Sequence, residues 1–354
     1  MNQQRTKVLK RLAGVFVVGA LAGGCAVAAA AKEPALKLYI EPEHVDADFQ
    51  FQGEYSGTVS QPGGGKARLG AQVRALGDGL FRTMFYAGGL PGDGWDGKTI
   101  IQKAPSTDDS VPEKATPVDA RLVGGKVLID QVYKGACDGR TLAGWTDGGA
   151  EFQLARVHRK SPTLGAKPPA GAIVLFDGTS TDEWLPGAKL TPQKWLIGGA
   201  TTKRKFQDFT LHVEFMISYV PRARAIWVRP NSGVFLQERY EIQILESFGT
   251  VEREHDCGVL YAQITPKINM CYPPLTWQTY DIDFTAARYD AAGKKTKLGR
   301  TTIKFNGVTI LDDVEIKHST PSGKPENPQP GGIYLQEHGF PAFFQNVWIV
   351  EKRP

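Results

Sequence analysis

The sequence predicts an all-β protein: two packed antiparallel sheets forming a jelly-roll sandwich, preceded by a smaller β-rich domain. Three observations carry this. Short β-branched and aromatic runs alternate with Gly, Pro, Asn and Asp clusters, and the 354-residue chain holds 40 Gly and 23 Pro. Seven or eight such runs follow the proline-rich stretch at residues 161–172, with almost no helical periodicity. The composition, 41% hydrophobic and 22% charged, suits a globular chain able to bury a core.

In chain order, a targeting segment comes first. Arg5, Lys7, Lys10 and Arg11 precede the apolar run LAGVFVVGALAGG and the small residues CAVAAAAK. This is the pattern of a signal peptide, residues 1–31. Two cleavage readings stay open. Ala29, Ala30 and Ala31 suit ordinary cleavage before Lys32; Cys25 offers a lipoprotein alternative, although Ala22 sits where that motif prefers Leu. Either way an exported protein is expected, periplasmic or extracellular, with membrane contact only through a lipid anchor at Cys25. The formal net charge of +5 includes those four basic residues. No basic stripe with interleaved aromatics remains, so nucleic acid is not an expected partner.

Residues 32–160 form the first, β-rich domain, whose role the sequence leaves open. YSGTVS, LGAQVRAL and LFRTMFYAGG read as strands, the last two joined by a hairpin at Gly77, Asp78 and Gly79. VDARLVGGKVLIDQ is a hairpin through Gly124 and Gly125, and EFQLARVHR closes the unit. Asp93 and Asp96, set among glycines, read as turn residues or as cation ligands. The linker, residues 161–172, is stiffened by Pro162, Pro168 and Pro169.

The second domain spans residues 173–354. In FTLHVEFMISYV, Phe209, Leu211, Val213 and Phe215 share one face and Thr210, His212, Glu214 and Met216 the other. SGVFLQ, RYEIQIL, GVLYAQI, QTYDIDFTA, TTIKFNGVTIL, GIYLQEH and FFQNVWIVE follow, with a hairpin turn at Asn306 and Gly307. Export permits disulfides. Cys257 and Cys271 flank one loop-containing segment and are the candidate pair; the alternative is that Cys137, Cys257 and Cys271 are all unpaired core residues.

Candidate chemistry sits on strands able to project polar groups onto one open face. Glu214 comes from the first long strand. Glu241 and Gln243 alternate against Tyr240, Ile242 and Ile244. Gln336 and His338 lie near the chain's end. Imidazole titrates near neutrality and suits proton transfer. Arg229 and Asn231 precede another strand and are candidates for holding a ligand's oxygens. Glu214, Glu241, Gln243 and Gln336 also read as ordinary solvent-facing strand residues, His338 as a turn residue bonded to backbone, Arg229 as a side chain lying along a loop and Asn231 as a turn residue. The Glu-x-Gln-x-x-Glu spacing of Glu241, Gln243 and Glu246 resembles the catalytic strand of laminarinase-like retaining glycosidases, in which the outer acids are nucleophile and acid/base. That would require a β-bulge to bring both acids to one face, and Gln243 stands where that motif has Asp.

Six pieces together carry a second resemblance: VLFDGTSTDEW, FQDFTLHVEF, RPNSGVFLQERYEIQILESFG, CGVLYAQITPKINMCYPPLTWQTYDIDF, FNGVTI and GGIYLQEHGFPAFFQNVWIV. They cover nearly all of residues 172–351, and they resemble the 3-keto-disaccharide hydrolase domain family, with its concanavalin A-like sandwich. The first unit, with GGLPGDGW and SPTLGAKPP, resembles the N-terminal extension of planctomycete-type members. Glu246 and Glu337 stand where the family usually has Asp, and Pro230 where Gly is common. The resemblance implies cleavage of glycosides whose sugar is oxidised at C3, by C2 proton abstraction, β-elimination and hydration. It implies Glu241 and His338 as base or as ligands of a divalent cation, with Glu214, Arg229, Asn231, Gln243 and Gln336 holding the sugar. The alternatives are a non-catalytic carbohydrate-binding module and the retaining glycosidase using Glu241 and Glu246. In each case the partner is a carbohydrate.

Overall fold

The structure, a computed structural model, describes residues 36–101, 118–250 and 254–352, apart from the side chain of Trp227. The targeting segment with Cys25, residues 102–117 and residues 251–253 lie outside the described residues. Leu36–Pro354 forms one compact unit. The chain is all-β, and among the described residues no helix is long and apolar enough to cross a membrane.

The first nine strands are β1 (Gly53–Ser60), β2 (Lys66–Ala75), β3 (Leu80–Ala87), β4 (Ile100–Ile101), β5 (Ala120–Val123), β6 (Lys126–Asp130), β7 (Tyr133–Cys137), β8 (Thr141–Thr146) and β9 (Glu151–Val157). They make one antiparallel sheet in the order β2-β1-β9-β8-β7-β6-β5-β3-β4. A further pairing of β2 with β3 closes it into a barrel, with β4 riding outside on β3. Closure removes the sheet edges that would otherwise invite association. Alternate residues point inward and fill the barrel: Tyr55, Val73, Phe81, Phe85, Ile129, Leu142 and Leu154 are all buried in one cluster. The expected turns are present. Gly77, Asp78 and Gly79 all have positive φ, as do Gly124 and Gly125. Asp96 makes a plain turn, accepting from the backbone of Lys98 and Thr99, while Asp93 pairs with Arg68.

The remaining strands are β10 (Ile173–Phe176), β11 (Leu196–Ile197), β12 (Ala200–Thr201), β13 (Phe209–Ile217), β14 (Asn231–Leu236), β15 (Tyr240–Leu245), β16 (Trp277–Thr285), β17 (Arg288–Tyr289), β18 (Lys295–Lys297), β19 (Gly299–Phe305), β20 (Val308–Ile316), β21 (Tyr334–Leu335) and β22 (Ala342–Glu351). A seven-stranded sheet runs β10-β22-β13-β16-β19-β20 with β11 on β22, and faces a four-stranded sheet β12-β21-β14-β15. Period-2 alternation builds the core between them. Phe209, Leu211, Val213 and Phe215 of β13 meet Tyr240, Ile242 and Ile244 of β15, Val234 and Leu236 of β14, and Leu335 of β21. Burying each such side chain contributes roughly 1.5–3 kcal/mol. The segment 258–264, expected as a strand, makes only isolated bridges at Leu260. Of the two readings of the cysteines, the structure has the second: Cys137, Cys257 and Cys271 are all buried free thiols, and the candidate Cys257–Cys271 pair is not formed.

The barrel packs on the outer face of the seven-stranded sheet. Met216, Phe343, Tyr219 and Leu275 belong to the barrel's apolar cluster. The proline-rich stretch expected as a linker is bonded along the same outer face. Ser161 Oγ lies 2.6 Å from Thr279 Oγ1, and Thr163 Oγ1 donates to Asp281 Oδ2 at 2.7 Å. Gly165 N donates to Glu214 Oε1 at 2.5 Å. Ala166 O accepts from Asn346 Nδ2 and Trp348 Nε1 at 3.0 and 3.2 Å. Pro162 packs so closely on Gly307 that a Cβ there would lie 2.3 Å from Pro162 Cγ.

Candidate functional site

Strands β14 and β15 pair in unbroken register, from Asn231 opposite Leu245 to Leu236 opposite Tyr240. Core-facing Val234, Ile242 and Ile244 fix the parity, so Asn231, Gly233 and Phe235 share the other face with Glu241 and Gln243. β21 adds Tyr334 opposite Phe235, and beyond it Gln336 N donates to Gly233 O and His338 bridges Asn231. The face therefore carries three rows. Tyr334, Phe235 and Glu241 make the first, Gln336, Gly233 and Gln243 the second, and His338, Asn231 and Leu245 the third. Adjacent strands lie about 4.8 Å apart.

Gly233 shapes this face. A Cβ there would lie 2.6 Å from Glu241 Oε1 and 2.8 Å from its Cγ. The missing side chain is the space the Glu241 carboxyl occupies. That carboxyl is 3% exposed, and burial pushes its pKa up to about 8. No charged partner offsets the desolvation. Around it, Asn231 Oδ1, Gln243 Oε1 and Gln336 Oε1 are buried without a hydrogen-bond partner among the described residues. A buried amide left unpaired costs about 1–3 kcal/mol, and three on one face mark a place where ligand or water completes the bonding.

The sequence reading missed Tyr261. Residues 258–261 run along the free edge of β15: Gln243 N donates to Val259 O, Gly258 N to Gln243 O, and Tyr261 N to Glu241 O. Leu260, bridged to Ile242, faces the core, so Tyr261 falls on the Glu241 face. Burial and then the Glu241 and Glu254 charges raise the Tyr261 pKa, keeping the phenol protonated. Period-2 alternation in GVLYAQI gives its parity, but no sequence signal gives its pairing partner.

Among the expected site residues, Glu241, Gln243, Asn231, Gln336 and His338 share this face; His338 is exposed at its end. Glu214 is elsewhere. It lies on β13, on the outer face of the opposite sheet, where its carboxylate accepts from Asn346 Nδ2 at 2.7 Å, Gln345 Nε2 at 2.8 Å and Gly165 N. Burial pushes its pKa up, but bonds from His212, Asn346, Gln345 and Gly165 outweigh it and the net shift is downward. Arg229 is 2% exposed and donates to the carbonyls of Arg224 and Glu246 at 3.2 and 3.4 Å, tying the chain ends that flank β14 and β15.

Glu246 corrects the retaining-glycosidase alternative. β15 has no bulge, and Glu246 follows its end. Its carboxylate is bound by Arg74 of β2 and accepts from Phe248 N at 3.2 Å. It does not face Glu241, and a guanidinium already occupies it.

A divalent cation needs several donor atoms converging on one point. Among the described residues no group of three or more His, Cys, Asp or Glu could hold a metal. This face offers one carboxyl, one imidazole and amide oxygens, so a divalent cation here would have to complete its coordination with substrate or water oxygens. Cavities of about 430 and 540 Å³ lie elsewhere; in the first Arg159 pairs with Glu54, and in the second Arg300 pairs with Glu315.

The family described as a 3-keto-alpha-glucoside-1,2-lyase-like domain matches residues 133–350. A protein of known structure from Parabacteroides distasonis ATCC 8503, described as a candidate glycosyl hydrolase, is 30% identical over 52% of this chain and 85% of its own, with a TM-score of 0.45. A second, from the same organism and with the same description, is 16% identical over 52% of this chain and 94% of its own, with a TM-score of 0.37. No curated protein matches.

Proposed function

The chain belongs to the 3-keto-alpha-glucoside-1,2-lyase-like domain family, and from that premise we propose that it cleaves the glycosidic bond of sugars oxidised at C3. Membership supports a glycoside-cleaving activity. The observation that carries the finer reading is the Glu241 carboxyl, buried over Gly233 with its pKa pushed up to about 8 and set among three unpartnered amides.

A C3 ketone acidifies the proton on C2. In this reading ionised Glu241 takes that proton, and its raised pKa makes it a stronger base than an ordinary carboxylate. The electron pair left on C2 delocalises onto the C3 oxygen, where amide N–H groups of Gln243 and Gln336 stabilise the enolate. The pair then forms the C1–C2 double bond and the C1–O bond breaks. The departing oxygen takes a proton from His338 or the Tyr261 phenol. Water adding across the double bond, hydroxyl to C1 and proton to C2, returns a free 3-keto sugar. Asn231 holds a hydroxyl at the third row.

The test is turnover of a 3-keto-disaccharide and of the same sugar unoxidised. Cleavage of the keto substrate alone, lost in Glu241→Gln with the circular dichroism unchanged, supports the proposal. Equal cleavage of both sugars, or a near-normal rate in Glu241→Gln, sinks it.

A further inference from the structure

The barrel carries a surface hollow apart from the site above. Trp145, on β8, is 57% exposed and borders the hollow. Strand register shows what surrounds it. Trp145 stands opposite Glu151, and Ala143 opposite Gln153. Gln153 stands opposite Thr58, and Ser60 opposite Lys66. Leu142, Phe152, Leu154 and Val59 point into the barrel, so these intervening residues point out.

The outer surface of β8, β9, β1 and β2 is thus an indole at one side, small residues in the middle and polar ends beyond. Ala143, Gly144, Thr58 and Ser60 leave a hollow of about 400 Å³ beside the ring. That size is within the range of small-ligand sites. The side chains of Thr58, Ser60, Lys66, Glu151 and Gln153 make no hydrogen bond or ion pair to the protein among the described residues. The formal charges of Lys66 and Glu151 cancel, which suits an uncharged ligand. A pyranose has the matching chemistry: weakly positive C–H groups on one face meet the negative face of an indole, and the hydroxyl rim meets donors and acceptors.

We infer that the Trp145 hollow is a binding site for a neutral glycan, through which the barrel holds saccharide apart from the Glu241 site. The test uses the full chain carrying Glu241→Gln, titrated with cellohexaose and maltohexaose. The readout is the Trp145 indole N–H resonance, assigned by its loss in Trp145→Phe. The expected result is a saturable shift of that resonance with at least one of the two sugars. Affinities of the variants are read by titration calorimetry: Trp145→Ala should weaken binding at least tenfold, Trp145→Phe should keep most of it, and Trp145→Ala in the otherwise native chain should leave turnover of a 3-keto-disaccharide unchanged. No shift with either sugar at millimolar concentration, or equal affinity in Trp145→Ala, overturns the inference. So does a dimer in sedimentation that Trp145→Ala dissociates, since that assigns the face to a second copy of this chain.

Discussion

The guanidinium of Arg74, on the second barrel strand, holds the carboxylate of Glu246, just beyond the sandwich strand that carries Glu241. Both side chains are nearly fully buried, at 3% and 7% exposure. The barrel therefore braces the end of β15. Arg74→Ala leaves an uncompensated buried carboxylate and should cost about 3–5 kcal/mol. Replacing both partners, Arg74→Met with Glu246→Met, should recover much of that loss. Urea midpoints across the double-mutant cycle measure it; a single-variant loss below 1 kcal/mol would mean the pair bears little of the fold.

Glu241 should trade stability for chemistry. Its pKa rises from 4.5 to about 8 on folding. The folded state holds that proton more tightly, so the group's contribution is present below the unfolded value and is lost as pH rises through about 8. Glu241→Gln removes the dependence, and above that pH it should be more stable than the native chain by a few kcal/mol, on the order of the shift itself. Thermal melts at pH 6 and pH 9 give the comparison. Turnover should fall by roughly 10²–10⁴, the usual worth of a general base.

The same shift sets the sign of the pH–rate profile. A base must be ionised to act, so kcat/KM should climb as pH rises and level off above a midpoint near 8. In Glu241→Gln, residual activity should lack that limb. A flat profile from pH 6 to pH 9 in the native chain would point to another base.

Gly233→Ala tests the hollow. The new Cβ would meet Glu241 Oε1 and Cγ at 2.6 and 2.8 Å. Overpacking of this kind costs about 1–3 kcal/mol. The carboxyl must move, so turnover should fall tenfold or more while the chain stays folded. Steady-state kinetics beside a thermal melt separates the two effects.

Glu214→Ala should act on stability alone. The substitution strips partners from Gly165 N, Asn346 and Gln345 and should cost roughly 2–4 kcal/mol. The folded pKa of Glu214 is lowered, so its contribution is present above the unfolded value and is lost as pH falls through the folded one. Turnover per folded molecule should stay native. A raised KM with unchanged melting would return Glu214 to the substrate.

Much of this was legible in the residues. Alternation in FTLHVEFMI and YEIQIL gives both inner faces of the sandwich, because a strand's period of two needs no knowledge of its partners. The same alternation puts Glu241 and Gln243 together. It does not say which sheet a polar face belongs to. Glu214 and Glu241 read alike in sequence, yet one lies beneath residues 161–166 and the other over Gly233. Barrel closure through β2 and β3, the Arg74–Glu246 pair and the placing of Tyr261 beside Glu241 all depend on long-range pairing, which local pattern does not encode.

The stretch 161–166, read as a spacer, is fastened to Thr279, Asp281, Glu214, Asn346 and Trp348. The family match opens at Tyr133, the first residue of β7, and so takes in only the last three barrel strands. The unit shared by descent and the unit that folds are therefore different lengths of chain. A cut at residue 172 would strip the cover from Glu214, and one at residue 133 would split a closed ring. The smallest autonomous fragment should begin upstream of β1, and sequence kinship alone would place that boundary too late.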